Sequence, residues 1–375
     1  MTKKIGIVGG GQLGRMLTEA ALPMGLSVTV IDPVENAPAA QAGATQIQAP
    51  LTSQDALATL GGETDIITFE IEHIDTNTLI EMANSGITVS PHPETLHMIK
   101  DKLAQKQFLR TVDIPVADFF EIKTPHDVIK LAETIRFPLL LKTRYGGFDG
   151  RGNFLVRDET ELSTAFTKLR GKELYVESYV PFEKELAVIL ARGTNGETNT
   201  YPVVETIHKN NICHMVLAPA PLPDEITKKA LEIGLQTLSH LQGAGVFTIE
   251  MFLLKNGEIL VNEIAPRVHN AGHFTIEACS TSQFTQHLLA ITGQELKKTE
   301  MIVPAAAMIN ILGSHTGIAD PKGKEFAEQI PGVHVHLYGK AEVRNDRKMG
   351  HITATAETLE MAMQHAIKAR ELISI

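Results

Sequence analysis

Apolar and polar positions along the chain follow two periods, and the switches between them mark its elements. Residues 4–8 (KIGIV) form a short β-run that enters a glycine loop, and the spacing after it predicts a helix through about residue 24. A second β-run, 27–31, ends at Asp32. Residues 65–72 (DIITFEIE) read as a strand whose last residues put Glu70 and Glu72 on one face. That face lies at the carboxyl end of the strand, where ligands sit in open α/β sheets. Either glutamate is a candidate for function, or one caps the helix expected over 75–84. Ser90-Pro91-His92-Pro93 punctuates the chain as a domain border, and a helix is expected over 93–112. Strands are expected at 137–143, 154–156, 173–180, 185–190 and 202–207, with helices over 224–241 and 275–290 that Gly243 and Gly293 stop. The last segment is strand-rich, with strands at 334–338 and 351–356 and a closing amphipathic helix over 357–373.

The most informative stretch is 246–273. Two apolar runs flank Asn256-Gly257, the dipeptide that favours a two-residue hairpin because a type I′ turn needs positive φ at both central residues. With that turn Lys255 pairs with Glu258, and counting back sets Glu250 opposite Glu263. Directly opposed like charges destabilise a strand pair. A divalent cation compensates such a pair, and Mg²⁺ held by one or two carboxylates takes phosphates among its other ligands. Asn262 offers a further oxygen beside Glu263. A polar cluster follows at Arg267, His269, Asn270 and His273.

Two glycine loops add to this. Residues 9–14 (GGGQLG) between a strand and a helix, with Asp32 after the next strand, have the spacing of a dinucleotide loop, a phosphate site or tight packing on a Rossmann-like scaffold. Residues 145–153 (YGGFDGRGN) lie between two strands and lack the ending of a Walker A loop; a strand–loop–strand of this kind folds over phosphates with its amides. Lys142, at the end of the strand before it, reads as a ligand-facing cation. His208, alone after a strand, reads as a structural hydrogen-bonder.

The bulk numbers fit an ordinary globular protein of two or three domains: 375 residues, 43% hydrophobic and 21% charged. A net charge of −10 without long charged blocks argues against nucleic-acid binding. Against that total, Lys340, Arg344, Arg347 and Lys348 stand out as a local basic cluster, either an anion site or a solvated hairpin tip. The two cysteines, Cys213 and Cys279, fit no disulfide or metal spacing, which sets a reducing, cytoplasmic expectation. The longest apolar run, 302–312, is too short for a bilayer, and the first residues lack the apolar core of a signal peptide, so no membrane partner is expected.

Taken together, GGGQLGRM, FEIEHI, KTRYGGFDGRGN, VVETIHKNN, NEIAPRVHNAGH and YGKAEVRNDRKMGH, in this order, resemble the N5-carboxyaminoimidazole ribonucleotide synthetases, ATP-grasp carboxylases of bacterial and fungal purine synthesis. The likeness covers nearly the whole chain. Phe148 and Phe274 stand where tyrosine and tryptophan are common, and Ala271 where serine is. The resemblance implies an α/β, ATP-grasp (α+β) architecture: a Rossmann-like domain over 1–95, an ATP-grasp region over 96–298 with a small lid at roughly 118–182, and a strand-rich C-terminal domain over 299–375.

By the same likeness Lys142 and Lys102 meet ATP phosphates, under a loop of Gly147, Phe148, Asp149, Gly150, Arg151, Gly152 and Asn153. Glu177, Ser178, Tyr179 and Val180 line the adenine pocket, Glu185 holds the ribose, and His208 becomes an ATP-site residue. Glu250 and Glu263, with Asn262, hold Mg²⁺, or Mn²⁺ in its place. Lys340 and Arg347 take the 5′-phosphate of aminoimidazole ribonucleotide, which Gly11, Gln12 and Leu13 border. Arg267, His269 and Asn270 face the carbamate end, with Asp149, Arg151 and one of Glu70 or Glu72 near the amine. Arg267, His269, Asp149 and Arg151 are thus the catalytic candidates, and the implied partners are ATP, bicarbonate, the ribonucleotide and a second copy of the chain.

The expected chemistry is attack of bicarbonate on the γ-phosphorus, then capture of the carboxyl by the 5-amino group. Rival readings are another ATP-grasp ligase with a different acceptor, such as a formate-dependent glycinamide ribonucleotide enzyme or a biotin carboxylase; an NAD-dependent oxidoreductase, from residues 9–14 and Asp32; and a non-catalytic nucleotide sensor.

Overall fold

The computed structural model describes residues 3–147 and 152–375, and it contains three main sheets. The first is parallel. β1 (Lys4–Val8), β2 (Ser27–Asp32), β3 (Thr45–Gln48) and β4 (Ile66–Phe69) lie in the order β3-β2-β1-β4. β4 stops at Phe69, so Glu70 and Glu72 lie in the turn beyond it. Neither caps the following helix, Thr76–Asn84; Asp75 does, accepting from the Asn77 and Thr78 amides at 3.1 and 3.2 Å.

The second sheet is small and antiparallel. It comprises β5 (Phe119–Glu121), β6 (Leu139–Thr143), β7 (Asn153–Val156) and β8 (Leu174–Ser178), ordered β5-β8-β6-β7. Helices Pro125–Ile135 and Leu162–Lys168 cover one face, packing on Leu139, Leu141 and Val176. Residues 148–151 fall between β6 and β7.

The third sheet is the spine. It takes in β9 (Phe182–Arg192), β10 (Thr198–Thr200), β11 (Val204–Lys209), β12 (Ile212–Ala218), β13 (Gly245–Leu254), β14 (Ile259–Ala265) and β15 (Ala305–Leu312). After the short β16 (Gly317–Ile318), β17 (Val333–Leu337) joins it; after the short β18 (Glu342–Val343), which pairs with β16, β19 (Lys348–Ala356) joins it too. The order is β14-β13-β9-β11-β12-β15-β19-β17, so the sheet is continuous from the hairpin to the last strands. The middle of β9 is buried on both faces, from Leu186 to Ala191, which its unbroken apolar run requires.

Two long helices expected from periodicity are each broken. The stretch 93–112 divides into Pro93–Lys100 and Lys102–Thr111 at Asp101. Asp101 leaves helical geometry to accept the Leu103 and Ala104 amides (3.1 and 3.3 Å), the Arg144 guanidinium and the Tyr145 hydroxyl at 2.9 Å. The stretch 275–290 divides into Thr275–Ala278 and Gln283–Thr292, where Ser282 caps the second helix through the Thr285 amide.

His287, on that second helix, joins two sheets. Its Nδ1 accepts the Val246 N–H of β13 at 3.0 Å, which fixes the proton on Nε2, 2.9 Å from the Thr68 hydroxyl of β4. Burial pushes this imidazole down to about 3, while the unfolded chain takes up the proton near 6.5. Between those values unfolding is accompanied by proton uptake, so the bond's contribution is complete above about pH 6.5 and is lost as pH falls. His287→Leu should cost about 2–4 kcal/mol by orphaning two buried partners. Urea unfolding should also show a smaller loss of stability from pH 7 to pH 5 in the variant than in the wild type; equal pH slopes would contradict this role.

Candidate active site

The expected pairing of Glu250 with Glu263 is present, reached by a different route. The turn is not a two-residue type I′ turn. Leu254 N–H donates to Glu258 O at 2.8 Å, closing a three-residue loop in which Gly257 has left-handed φ (79°) and Asn256 does not. Leu253 therefore pairs with Ile259, one residue out of the expected register. A bulge between Glu250 and Met251 on one side, and Glu263 and Val261 on the other, restores it. Asn262 is the extra residue. Neighbours on a regular strand point to opposite faces, and the bulge lets both Asn262 and Glu263 line the cleft.

The two carboxylates differ in charge state. Burial opposes ionisation of both. The Lys102 ammonium, 2.7 Å from Glu263 Oε2, reverses this for Glu263 and holds it below the usual carboxylate range. Burial and the neighbouring Glu263 charge push Glu250 well up, so the pair shares a proton in the absence of a further cation.

Beside them lies a second group of charges. Lys142, at the end of β6, donates to Glu177 Oε2 at 2.8 Å. Glu177 Oε1 accepts from the Tyr175 hydroxyl at 2.9 Å and lies 3.4 Å from Lys106 Nζ. The Glu177 side chain thus belongs to the lysines, while Ser178, Tyr179 and Val180 continue the wall toward Leu140, Leu155, Phe182 and Phe252. The last two rings stack, 4.6 Å apart and 7° from parallel. Glu185, on β9, lies 3.3 Å from His208 Nδ1, and that carboxylate lifts the His208 pKa against the effect of burial.

The polar tail of the hairpin is held from three sides. Arg267 pairs with Glu72 at 2.7 Å. Gln283 grips both backbone groups of His269, at 2.9 and 2.7 Å. Asn270 and Asn310 of β15 exchange amide hydrogen bonds at 2.9 and 2.7 Å. Burial, with the charges of Arg267 and Lys348, pushes His269 down to about 3, so it is a neutral ring; its Nε2 lies 3.6 Å from Glu250.

The first glycine loop is already filled by protein. Gly11 N–H donates to Glu70 Oε1, Gly14 N–H to Glu70 Oε2 at 2.5 Å, and Gly10 N–H to Asp32 Oδ2 at 2.9 Å. A Cβ at Gly11 would lie 2.7 Å from Glu70 Oε1, so the glycine makes room for that carboxylate. The amides that would receive a dinucleotide's phosphates are taken, which removes the oxidoreductase reading. Glu70 and Glu72 both reach the cleft, the first from the glycine loop and the second through Arg267.

One cleft of about 630 Å³ connects these groups. It is lined by Gln12 and Leu13, by Gly147 and Asn153, by the carboxylate pair with Lys102 and Lys142, and by Arg267, His269, Asn270, Lys340 and Arg347. Lys340 Nζ donates to Lys348 O at 2.6 Å and Arg347 Nη1 to Glu342 O at 2.8 Å. Gly152 approaches Thr143 so closely that a side chain would collide with it. Phe148, Asp149, Gly150 and Arg151 lie outside the described residues. Sequence reading missed Lys106, Phe182 and Phe252; a second lysine one turn after Lys102 was the available signal for the first of these.

This architecture is that of the ATP-grasp class. A model of the ATP-grasp domain matches residues 107–284, one of the ribonucleotide synthetase preATP-grasp domain matches 1–100, and one of the phosphoribosylaminoimidazole carboxylase C-terminal domain matches 306–365. The chain is 37% identical to the N5-carboxyaminoimidazole ribonucleotide synthase of Bacillus subtilis, over 93% of this chain and 90% of that protein. It is 42% identical to the phosphoribosylaminoimidazole carboxylase of Ogataea methanolica, and spans about two thirds (64–67%) of the length of the fungal and plant relatives of that name. Among solved structures, the Thermotoga maritima N5-carboxyaminoimidazole ribonucleotide synthetase superposes with a TM-score of 0.90 at 42% identity, covering 100% of this chain and 99% of the other. The Aspergillus clavatus synthase in complex with ADP and 5-aminoimidazole ribonucleotide gives 0.92 at 36%, covering 99% and 98%. The chain belongs to the N5-carboxyaminoimidazole ribonucleotide synthase family.

Glu70→Ala should lower stability by about 1–3 kcal/mol, because two amides lose their acceptor. Calorimetric titration should still find ATP affinity within about threefold of wild type, since Glu70 is bound to the glycine-loop amides and not to the lysine and carboxylate groups of the hairpin. A larger change would mean that the glycine loop forms part of the ATP site.

Proposed function

We propose that this chain carboxylates the 5-amino group of 5-aminoimidazole ribonucleotide with bicarbonate, converting ATP to ADP and phosphate, as a step of purine biosynthesis. The observation that carries this reading is the single cleft. Its lining brings together the opposed carboxylates with Lys102 and Lys142, and the cationic, hydrogen-bonding groups Arg267, Asn270, Lys340 and Arg347. A cleft built for two substrates in line supplies mostly alignment and charge neutralisation, which suits phosphoryl transfer.

ATP lies with its base against Leu140, Leu155, Phe182 and Phe252, read by the backbone of residues 178–180, and its ribose near Glu185 and His208. Its phosphates run toward Lys142 and Lys102, under the loop Gly147–Asn153. The donor set at the hairpin fits Mg²⁺: two carboxylates and an amide oxygen, all hard, with charge on Glu250 suppressed until a cation arrives. Glu250, Glu263 and Asn262 would hold the ion, which would supply charge neutralisation for phosphoryl transfer.

Bicarbonate oxygen attacks the γ-phosphorus and the bond to ADP breaks, leaving carboxyphosphate. Arg267 and neutral His269 face the carboxyl end and Asn270 fixes their loop. The amine nitrogen then bonds to the carboxyl carbon, the bond to phosphate oxygen breaks, and the nitrogen sheds a proton; Asp149 and Arg151 are assigned to this end. Lys340 and Arg347 take the ribonucleotide's phosphate, beside Gln12 and Leu13. A homodimer in the cytoplasm completes the reading; no helix among the described residues is long and apolar enough to cross a membrane.

ADP release, followed by a coupled assay, should require both bicarbonate and aminoimidazole ribonucleotide; equal release with another acceptor would reassign the substrate. Glu263→Gln should cut turnover at least about a hundredfold with ATP binding partly kept, and near-normal turnover would remove the metal role. Arg347→Ala should raise KM for the ribonucleotide about tenfold or more, with KM for ATP little moved. An unchanged value would leave that cation as surface charge.

A further inference from the structure

Lys106 has no place in the chemistry above, yet it is 3% exposed, and a lysine is almost never so buried unless paired. It follows Lys102 by one turn on the helix Lys102–Thr111, so the two ammoniums leave the same face. Lys102 reaches Glu263 at the cleft, while Lys106 turns beneath it. Its Nζ donates to Val261 O of β14 at 3.2 Å, one residue before the bulge, and lies 3.4 Å from Glu177 Oε1 of β8. Three elements meet on this one ammonium.

Glu177 is a buried carboxylate between two buried ammoniums, with Lys142 on Oε2 at 2.8 Å. If Lys142 were its only cation, the pair would be neutral. Drawing Lys142 toward a phosphate would then strand a buried carboxylate, a costly loss. With Lys106 in place the carboxylate keeps a partner whichever way Lys142 turns, and the group presents one surplus positive charge to the cleft. We infer that Lys106 is a positioning residue: it serves as standing counter-ion to Glu177 and so releases Lys142 to the polyphosphate of a bound nucleotide. This rests on the reading that Lys142 meets ATP phosphates. Burial pushes the Lys106 ammonium down to about 8, so it still carries its charge at neutral pH; burial works against charge on Glu177 too, but the two lysines hold that carboxylate well below its ordinary value.

The test is magnesium–ATP affinity by calorimetry, with KM and kcat, for Lys106→Met, Lys106→Arg and the double variant Lys106→Met/Glu177→Gln, at pH 7. In Lys106→Met, Lys142 stays on Glu177, and the dissociation constant for ATP is expected to rise about tenfold or more at pH 7, where the wild-type Lys106 carries its charge. KM for the ribonucleotide is expected to stay within about twofold. Lys106→Arg is expected to restore part of the affinity. The double variant removes both buried charges together, and it is expected to bind ATP at least about threefold more tightly than Lys106→Met. A loss of affinity that is equal in the single and double variants overturns the inference, as does unchanged affinity in Lys106→Met. Failure of the wild type itself to bind ATP overturns the underlying reading of Lys142 instead.

Discussion

The structure depends on two carboxylates held where they repel. At an effective dielectric of about 20, like unit charges about 5 Å apart oppose each other by about 3 kcal/mol. The fold tolerates the Glu250–Glu263 pair because its surroundings are arranged for it. Lys102 neutralises one member, burial keeps the other protonated, and Gln105 and Lys106 bind the backbone of β14 on either side of the bulge, at Ile264 N–H and Val261 O. The pair is a set of hard oxygen donors, the kind that suits a divalent cation. Phosphates supply the remaining oxygens that such a cation needs.

A third carboxylate decides the role of the N-terminal sheet. Glu70 fills the glycine loop that its spacing would assign to a dinucleotide. The same three glycines that admit a pyrophosphate elsewhere here admit a side chain, because both are anions seeking N–H groups at a helix start. The N-terminal sheet thereby becomes a wall of the cleft rather than a cofactor site, and Gln12 and Leu13 border it.

Much of this was legible from the residues. Most strands of the central sheet that carry a site residue showed as apolar runs, and the order of motifs placed the family; β12, whose Cys213 lines the cleft, went unread, and His208 lies on β11, not after it. The pairing of the two glutamates was read correctly through two errors that cancel: the turn has one residue more than Asn-Gly implies, and the bulge at Asn262 takes it back. Hydrophobic period cannot reveal a bulge, since the extra residue only shifts the alternation. Helix breaks were missed where a local cap competes with periodicity; Asp101 leaves the helix partly for Arg144 and Tyr145, which are distant in sequence. Lys106 was missed for a similar reason. Its burial has a cause only once β8 brings Glu177 against the helix, and no local pattern announces that.

What the two ends of the cleft do together is the central claim: bicarbonate oxygen is aligned on the γ-phosphorus of ATP before the amine reacts. Isotope transfer tests it most directly. With bicarbonate labelled by oxygen-18, the phosphate released in a complete reaction is expected to carry one labelled oxygen, because the bond formed in the first step is not the one broken in the second. Unlabelled phosphate would mean that water or the amine, and not bicarbonate, takes the phosphoryl group, and would contradict the account.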